Sequence, residues 1–265
     1  MAVRTSVSVD HRSSNMLILI RYFAPGKYFL MSLKFTRQKD RHFLLSFFYK
    51  LDKLLPVSQK RKLKLYLDLE WIFERLAHEK SFRSFADHPV RMESFRFLRN
   101  FLLPSQNVLD LGCGGGDLSH MISTHTKAVV GVDHNKHLTE VAGKTFSAPN
   151  LKFISTDAFE FLKGNSDKFD VLILSHLLEH LEKPEDLIAS YKQFFEFIYI
   201  EVPDFERSHL NVYRKHLNTK LIYSDSDHIW EFDREDMARV IRDTGLTILG
   251  QEYKFGAQKY WCKTN

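Results

Sequence analysis

The sequence predicts an α/β protein in which a mostly parallel sheet is covered by helices on both faces. Two observations support this class. From Asn107 onwards, short apolar runs alternate with stretches of helical periodicity, and the first of these runs is followed by a glycine-rich turn. With 265 residues, 44% of them hydrophobic and 27% charged, the chain is long enough for one large α/β domain plus an additional segment. Only 11 glycines and seven prolines occur, which excludes a collagen-like or low-complexity chain.

Strands and helices are predicted to alternate along the second part of the chain. Five apolar runs are predicted as buried parallel strands, at residues 108–111, 128–132, 151–154, 169–174 and 197–202. Helices are predicted at residues 117–125, 135–146, 183–195 and 234–244, and two closing strands at residues 246–253 and 258–263. Because ligands of such sheets bind at the carboxyl ends of the strands, we expect functional residues directly after each strand.

Three regions are predicted along the chain. Residues 1–58 form a basic, Phe-rich arm, residues 59–103 a helical extension, and residues 104–265 the α/β domain. In the extension, Leu65, Leu69, Ile72 and Leu76 recur at helical spacing, and a second helix is predicted from about residue 90 to residue 102.

Charge is unevenly distributed between these regions. Residues 1–65 contain 14 Lys or Arg and three Asp, a net charge of +11, whereas the whole chain carries +5. This asymmetry indicates contact with an anionic partner, either a membrane surface or a polyanion, although a solvated tail or an added helical layer explains it as well.

We expect neither a signal peptide nor a membrane-spanning helix, because the apolar stretch 16–33 is interrupted by charges, Pro25 and Gly26. The two cysteines fit a reducing compartment, so the expected location is the cytoplasm, with peripheral contact to the inner membrane.

The glycine-rich turn after the first predicted strand contains Asp110, Gly112, Cys113, Gly114 and Gly116. Glycines allow the backbone to turn sharply and to approach a ligand closely, and the helix that follows favours negative charge at its start. A glycine-rich turn is a weak signal alone, but its position between a strand and a helix predicts a nucleotide-type binding site.

The second and third strands are followed by acidic residues that suit a nucleoside. Asp133, 17 residues beyond Gly116, is placed to accept both hydroxyls of a ribose, and His134 follows it. Asp157 could hold an adenine amino group while Ala158 packs against the ring. Helix capping is the alternative role for both aspartates.

Taken in order, these motifs resemble the class I S-adenosylmethionine-dependent methyltransferases. The matching stretches are 108–116 (VLDLGCGGG), 131–133 (GVD), Asp157 and 169–175 (FDVLILS), and the resemblance covers about residues 105–263. It implies a Rossmann-like sheet whose last strand is antiparallel, with S-adenosyl-L-methionine as the cofactor. It further implies that the glycine turn cradles the methionine part, that Asp133 binds the ribose and Asp157 the adenine, and that Ser175 belongs to the same site. A nicotinamide dehydrogenase is disfavoured, because its fingerprint has a third Gly where Asp117 stands here.

The fourth strand is followed by His176, Glu179 and His180 in the string HLLEH. If a helix opens here, the three side chains share one face, a spacing that suits metal ligation. The bare string also matches the inverzincin protease motif, but its position after a buried strand of a nucleotide-type fold argues against a protease.

This cluster is similar to the metal site of small-RNA 3′-terminal 2′-O-methyltransferases, which carry E-x-x-E-H here and a further His downstream. Residues 225–235 (DSDHIWEFDRE) resemble that downstream segment, so the implied ligands are His176, Glu179, His180 and His228. A His at 176 instead of Glu favours Mn²⁺, Fe²⁺, Co²⁺ or Zn²⁺ over Mg²⁺. The alternative is a metal-independent enzyme in which these residues shape the acceptor pocket and His176 or His180 is the general base.

The acceptor is suggested by a second, broader resemblance, to methyltransferases of bacterial cell-surface polysaccharide pathways. The similar stretches are 69–75, 175–180, 199–205 and 223–228. They imply O-methylation of a sugar hydroxyl in a glycan or activated sugar. Glu201 and Asp204 would then bind acceptor hydroxyls, and the long connection 205–232 would cover the acceptor.

Two other functions remain open from the sequence. The first is a metal-dependent RNA ribose 2′-O-methyltransferase, which the His/Glu cluster and the +11 region both permit. The second is a non-catalytic binding subunit with a methyltransferase fold, against which the intact Asp110, Gly112, Gly114 and Asp133 argue.

Overall fold

A computed structural model describes residues 43–81, 89–164, 168–225 and 227–265. The chain divides into two compact units, Met1–Ser58 and Gln59–Asn265. Within the first unit, the described residues form helix α1 (Phe43–Leu54). Most of the predicted basic arm, residues 1–42, lies outside the described residues. None of the helices in the described part of the chain is both long and apolar enough to cross a membrane.

The second unit is built on a seven-stranded sheet with the strand order β3-β2-β1-β4-β5-β7-β6. Its strands are β1 (Asn107–Leu111), β2 (Ala128–Asp133), β3 (Leu151–Ser155), β4 (Val171–Ser175), β5 (Phe197–Pro203), β6 (Thr247–Lys254) and β7 (Ala257–Lys263). Strands β1 to β5 are parallel, whereas β7 runs antiparallel between β5 and β6. The predicted fold class and its antiparallel closing strand are therefore confirmed.

Eight helices of the second unit are described, and most of them pack against the sheet. They are α2 (Gln59–Ser81), α3 (Pro89–Leu98), α4 (Asp117–Ser123), α5 (Lys136–Thr145), α6 (Ala158–Gly164), α7 (Pro184–Tyr191), α8 (Leu210–Leu217) and α9 (Arg234–Asp243). The strand order reverses between β1 and β4, so the carboxyl ends of these two strands open a crevice at the topological switch point.

The core has two layers because successive residues of each strand point to opposite faces. Leu109 and Leu172 pack on one face with residues of α7 and α9. Val108 and Ile173 pack on the other face with residues of α3 and α4. All five residues of β4 are buried, as expected for a central parallel strand covered on both sides.

The differences from the predicted elements lie mainly in the connections. The helix predicted at 183–195 ends at Tyr191 and continues as a 3-10 turn, Lys192–Phe194. The strand predicted at 169–174 begins two residues later, at Val171. The connection 205–232 contains helix α8, which the sequence analysis missed because the helix is only eight residues long and half of its residues are polar.

Polar contacts hold the long helix α2 against the connection that follows β5. Arg214 of α8 is almost fully buried, donates to the backbone carbonyl of Leu67 at 2.9 Å, and pairs with Glu70. The indole N–H of Trp71 donates to the carbonyl of Tyr223 at 2.9 Å. Helix α2 is thereby positioned by hydrogen bonds as well as by apolar packing.

We expect Arg214→Ala to destabilise the folded chain by about 3 kcal/mol, because it leaves the carbonyl of Leu67 on α2 and the side-chain oxygen of Asn211 on α8 without their donor. Urea denaturation followed by circular dichroism measures this change. The matched control is Arg242→Ala on α9, whose side chain is 70% exposed and should cost less than about 0.5 kcal/mol. Equal effects of the two substitutions would contradict the structural role of Arg214.

Candidate active site

The glycine-rich turn between β1 and α4 has a left-handed backbone at Gly112, Gly114 and Gly116. The space around Gly116 is filled, whereas the space around Gly114 is open. At Gly116 (φ +78°), an added Cβ would lie 2.5 Å from Cζ of Phe153 and 2.8 Å from Cβ of Ala142, so the turn is packed tightly against β3 and α5. At Gly114 (φ +52°), an added Cβ would meet nothing within 4 Å. The turn is thus fixed on its inner side, and the side facing Gly114 is open to a ligand.

Asp133, at the end of β2, ties the glycine turn to the neighbouring strand. Its carboxylate accepts the backbone N–H of Gly114 at 2.9 Å and that of Asn135 at 2.8 Å. The capping residue of α5 is Asn135, whose side chain accepts the N–H of Leu138, so Asp133 does not have the capping role considered above. His134 beside it is 84% exposed.

Asp110 and Cys113 lie inside the fold, beneath the turn. Asp110 accepts a hydrogen bond from the Ser119 hydroxyl at 2.6 Å, and burial raises its pKa to about 7. Cys113 is buried, and its burial, together with the Asp110 carboxylate, raises the pKa of the thiol far above its ordinary value. These surroundings favour the neutral thiol at Cys113.

Asp157 follows β3 and caps the next helix. Its Oδ1 accepts the N–H groups of Phe159 at 2.9 Å and Glu160 at 3.1 Å. Ala158, the first residue of α6, is half-buried. The capping role weighed for Asp157 is thus present, and it leaves the second carboxylate oxygen, Oδ2, as the atom that could contact an adenine.

Arg91 of α3 is a functional residue that the sequence analysis missed. It lies across the carboxyl ends of the central strands, where it donates to the Ser175 hydroxyl at 2.8 Å and lies 3.8 Å from Asp117. Burial opposes its charge, but the nearby carboxylates, among them those of Asp117 and Glu201, outweigh burial and raise the pKa of Arg91. Nothing in the sequence distinguishes it from Arg96 on the same helix, because the distinction arises only when α3 packs on the sheet.

Glu201 on β5 is the centre of a buried hydrogen-bond network. Its carboxylate accepts hydroxyl hydrogen bonds from Ser94 at 2.7 Å, Ser175 at 2.8 Å and Tyr199 at 3.0 Å. Burial opposes ionisation, but His176, Arg91 and the serine hydroxyls outweigh it and hold the pKa of Glu201 below its ordinary value. Glu201 is fully buried, so it supports the site from within and does not present its carboxylate to an acceptor as the sequence had suggested.

Asp204, the other acid predicted to bind acceptor hydroxyls, is also buried. It caps a short 3-10 turn by accepting the N–H of Glu206 at 3.0 Å and pairs with Arg234 at 2.8 Å. Asp204 is therefore a capping and ion-pairing residue, and its carboxylate is not presented to an acceptor as the sequence had suggested.

The segment after β4 does not open the helix considered in the sequence analysis. His176 has a left-handed backbone (φ +54°), and only a 3-10 turn, Leu178–His180, follows before α7. The left-handed residue ends the strand abruptly and turns the His176 ring back toward two buried carboxylates. Its Nδ1 lies 3.1 Å from Oε1 of Glu179, and its Nε2 lies 4.0 Å from Oε1 of Glu201.

Three of the four predicted metal ligands come together. Glu179, His180 and His228 each offer a ligand atom, and these atoms lie within 4.8 Å of one another. The Oε2 atom of Glu179 is buried and has no hydrogen-bond partner among the described residues, which is the condition expected of a carboxylate oxygen that binds an additional group. His176 is not part of this set, because its ring pairs with Glu179 and faces Glu201.

His228 is oriented from behind by Glu231. Its Nδ1 lies 3.0 Å from Oε1 of Glu231, so its Nε2 is the atom left for a ligand. Burial opposes protonation, but the Glu231 hydrogen bond and the charges of Glu179 and Glu231 outweigh it and raise the pKa of His228. Asp225 and Asp227 form a second, more exposed group with His228.

A cavity of about 510 Å³ opens above these residues. Helix α2 forms one wall, and Arg91, the two histidines after β4 and the connection after β5 form the others. Its polar and aromatic lining includes Trp71, Glu74, Arg75, His78, Arg91, His176, His180, Arg207, Asp225, Asp227 and His228. The bidentate pair of Arg75 with Asp225, at 2.8 and 3.0 Å, and the pair of Arg207 with Glu74 close this wall. The cavity therefore suits a ligand that offers many hydrogen-bonding groups.

The sequence matches a known protein family, described as a methyltransferase domain, over residues 69–251. The chain belongs to this methyltransferase family. The match begins inside α2, so the last part of the helical extension lies within the region typical of the family. The methyltransferase assignment made from the sequence motifs is thereby confirmed.

Individual relatives share only part of the chain. A ubiquinone biosynthesis O-methyltransferase from Coxiella burnetii is 32% identical over 104 residues, which cover 39% of this chain and 44% of the relative. The chain thus matches less than half the length of that methyltransferase.

Solved structures agree on the fold. Magnesium protoporphyrin IX methyltransferase from Synechocystis PCC 6803, with bound SAH, has a TM-score of 0.54 at 16% identity, covering 73% of this chain and 94% of that chain. A SAM-dependent methyltransferase from Archaeoglobus fulgidus has a TM-score of 0.51 at 19% identity, covering 71% and 98%. At such identities the likeness shows the methyltransferase fold alone.

We expect Gly116→Ala to affect mainly the stability of the fold and Gly114→Ala to affect mainly the affinity for the cofactor. The first forces a Cβ into Phe153 at a left-handed position and should destabilise the fold by about 3 kcal/mol. The second should cost about 1 kcal/mol of stability and weaken binding of S-adenosylhomocysteine, because its Cβ enters the open side of the turn. Thermal denaturation and calorimetric titration measure the two effects. Gly143→Ala, inside α5 where the added Cβ meets no other atom, is the control for both. Unchanged cofactor affinity in Gly114→Ala would contradict the assignment of the open side.

We expect Asp110→Asn to change how stability depends on pH. An acid whose pKa is higher in the folded than in the unfolded chain binds more protons when folded, so wild-type stability falls as pH rises from about 4 to about 7. The Asp110→Asn variant does not show this decrease in stability, because an amide side chain does not titrate. The stability difference, variant minus wild type, should therefore be more favourable at pH 8 than at pH 5 by about 2 kcal/mol. Urea denaturation of both proteins at the two pH values measures it, and a pH-independent difference would show that Asp110 is not the group responsible.

Proposed function

We propose that this protein transfers a methyl group from S-adenosyl-L-methionine to a hydroxyl group of a sugar. The observation that carries the proposal is the position of the polar cavity, which lies at the same sheet edge as the glycine turn and is lined by histidines backed by buried carboxylates. Membership of the methyltransferase family supports the class of reaction.

The residues around the glycine turn fit the cofactor. Asp133 uses each carboxylate oxygen for one backbone N–H, and an ionised carboxylate has capacity for further hydrogen bonds, so it would take the ribose hydroxyls. Asp157 and Ala158 would contact the adenine, and the open side of Gly114 would face the methionine part. Arg91 brings a positive charge to that end of the site, where the methionine carboxylate needs one. When bound, the cofactor supplies an electrophilic methyl group on a sulfonium.

The histidines of the cavity are placed to accept the proton of the attacking hydroxyl. His176 and His180 both line the cavity, and a sugar hydroxyl is a poor nucleophile at neutral pH unless a base takes its proton. A proton on His176 would lie between the carboxylates of Glu179 and Glu201. His180 is oriented by the carbonyl of Asp227, 3.3 Å from its Nδ1.

Glu179, His180 and His228 would also hold a divalent metal ion. The unpartnered, buried Oε2 of Glu179 fits such an ion, and two imidazoles with one carboxylate favour Mn²⁺, Fe²⁺, Co²⁺ or Zn²⁺ over Mg²⁺. A bound metal would lower the pKa of an acceptor hydroxyl and orient it. Glu231 would then fix the ring of His228 from behind.

The acceptor we propose is a glycan or activated sugar of cell-surface polysaccharide biosynthesis. The cavity is lined by ion-paired and hydrogen-bonding side chains together with Trp71, and such a lining recognises a ligand with many hydroxyls. Val90, Pro203 and Phe255 also line the cavity and would pack against the apolar faces of a sugar ring.

The second candidate is methylation of a ribose 2′-hydroxyl in RNA. It is favoured by the convergence of Glu179, His180 and His228, because a metal held there could contact two neighbouring hydroxyls of a terminal ribose. The excess of basic residues in the first 65 positions would supply contacts to phosphates.

Transfer of labelled methyl from S-adenosylmethionine distinguishes these candidates. We would offer a cell-envelope glycan extract and total RNA in parallel, each with Mn²⁺ or with EDTA. Label in the glycan is the expected result, and label in RNA alone would favour the second candidate. Absence of label together with absence of S-adenosylhomocysteine binding would instead indicate a non-catalytic binding subunit.

We expect His180→Ala to lower methyl transfer at least a hundredfold while leaving cofactor affinity within about twofold of wild type. Glu179→Gln should abolish Mn²⁺ binding, measured directly by electron paramagnetic resonance without any acceptor, because it removes the anionic ligand. His216→Ala, an exposed histidine on α8, is the matched control. Full activity of His180→Ala would exclude both the base and the metal role.

A further inference from the structure

Helix α1 (Phe43–Leu54) is a 12-residue amphipathic helix without a single buried residue. At 100° per residue, six apolar side chains fall within an arc of about 140°. They are Phe43, Leu44, Phe47, Phe48, Leu51 and Leu54. Phe43 is 79% exposed and Leu54 78%, so large apolar groups remain uncovered along the whole length of the helix. A contiguous apolar surface of this kind marks an interaction site.

The remaining side of α1 is more polar. Ser46, Lys50 and Lys53 are neighbours on it, with Asp52 as the single acid of the helix, and Leu45 and Tyr49 lie between Asp52 and Lys53. Basic residues also flank the helix in the sequence. Residues 34–41 contain four Lys or Arg against one acid, and residues 60–64 contain four without any acid. The stretch of sequence that contains α1 therefore has a strongly positive net charge.

We propose that α1 is an interfacial anchor that inserts its apolar face into the surface of an anionic lipid bilayer. The basic residues on and beside the helix match the negative charge of such a surface, which attracts clusters of Lys and Arg. Lys50 and Lys53 can extend from the edge of a partly immersed helix to the headgroups. The proposal is independent of the acceptor and concerns where the enzyme is held.

The geometry of α1 favours lying in the interface over spanning the bilayer or forming a coiled coil. Twelve residues give a helix about 18 Å long, well short of the ~30 Å apolar core of a bilayer. A coiled-coil seam uses a narrow stripe of two positions in seven, whereas the six apolar residues within the arc of about 140° on α1 make a wider face. Three phenylalanines on that face suit the boundary between headgroups and acyl chains.

Vesicle flotation of the full chain tests the proposal. We expect the protein to float with vesicles of equal parts phosphatidylcholine and phosphatidylglycerol, and to float much less with phosphatidylcholine alone or at high salt. The double substitution Phe47→Ser and Phe48→Ser should lower the partition coefficient roughly tenfold or more, because each Phe loses its apolar burial. Lys50→Gln with Lys53→Gln should lower it several-fold and reduce the preference for anionic vesicles.

The matched control is Phe194→Ser, which removes an exposed aromatic residue from the second unit and should not change flotation. Binding of S-adenosylhomocysteine should be the same in all the α1 variants, which shows that the second unit remains folded. Failure of the wild-type chain to float, or equal flotation of the Phe47/Phe48 variant, would overturn the proposal. It would also be overturned if light scattering showed a dimer that the same double substitution dissociates, since the face would then belong to a second copy of the chain.

Discussion

The site depends on the burial of one carboxylate, Glu201, at the carboxyl end of β5. It is in register with Ser175 on β4, and hydroxyls from β4, β5 and α3 donate to it. A buried charge costs several kcal/mol when its partners are missing, so the sheet and α3 can pack together only in the arrangement that supplies them. Helix α3, which precedes the alternating strands and helices, contributes both Ser94 and Arg91. The contacts around the Glu201 carboxylate therefore hold α3 against the crevice between β1 and β4.

His176 joins this internal network to the residues of the cavity. Its ring lies between Glu201, which is held by hydroxyls, and Glu179, whose second oxygen has no hydrogen-bond partner. The left-handed backbone at His176 is unfavourable for a residue with a Cβ, and the surrounding contacts maintain it, including the hydrogen bond from its N–H to the carbonyl of Glu201. Backbone strain and unmet hydrogen-bonding capacity therefore occur next to each other, at the point where the chemistry is expected.

Most of the sheet could be predicted from the sequence because each parallel strand is a short, mostly apolar run between turn or helix signals, and the glycine turn and Asp133 follow directly from that order. The cavity side of the site could be predicted less well. The spacing of His176, Glu179 and His180 suggested a shared helix face, but the left-handed backbone at His176 makes its ring a partner of Glu179 and leaves it outside the Glu179, His180 and His228 set. Arg91 left no sequence signal, since its partners are up to 84 residues away and converge only in the folded chain.

The residues around the glycine turn and the residues that form the walls of the proposed acceptor cavity come from different segments of the sequence. The glycine turn and Asp133 lie within the first strand–helix repeats, whereas the wall is formed by α2 and the connection after β5, joined by pairs such as Arg75 with Asp225. Substitutions in these two outer segments can reshape the acceptor cavity without disturbing the sheet or the turn. Such a division lets acceptor preference diverge rapidly during evolution while methyl-donor binding is retained.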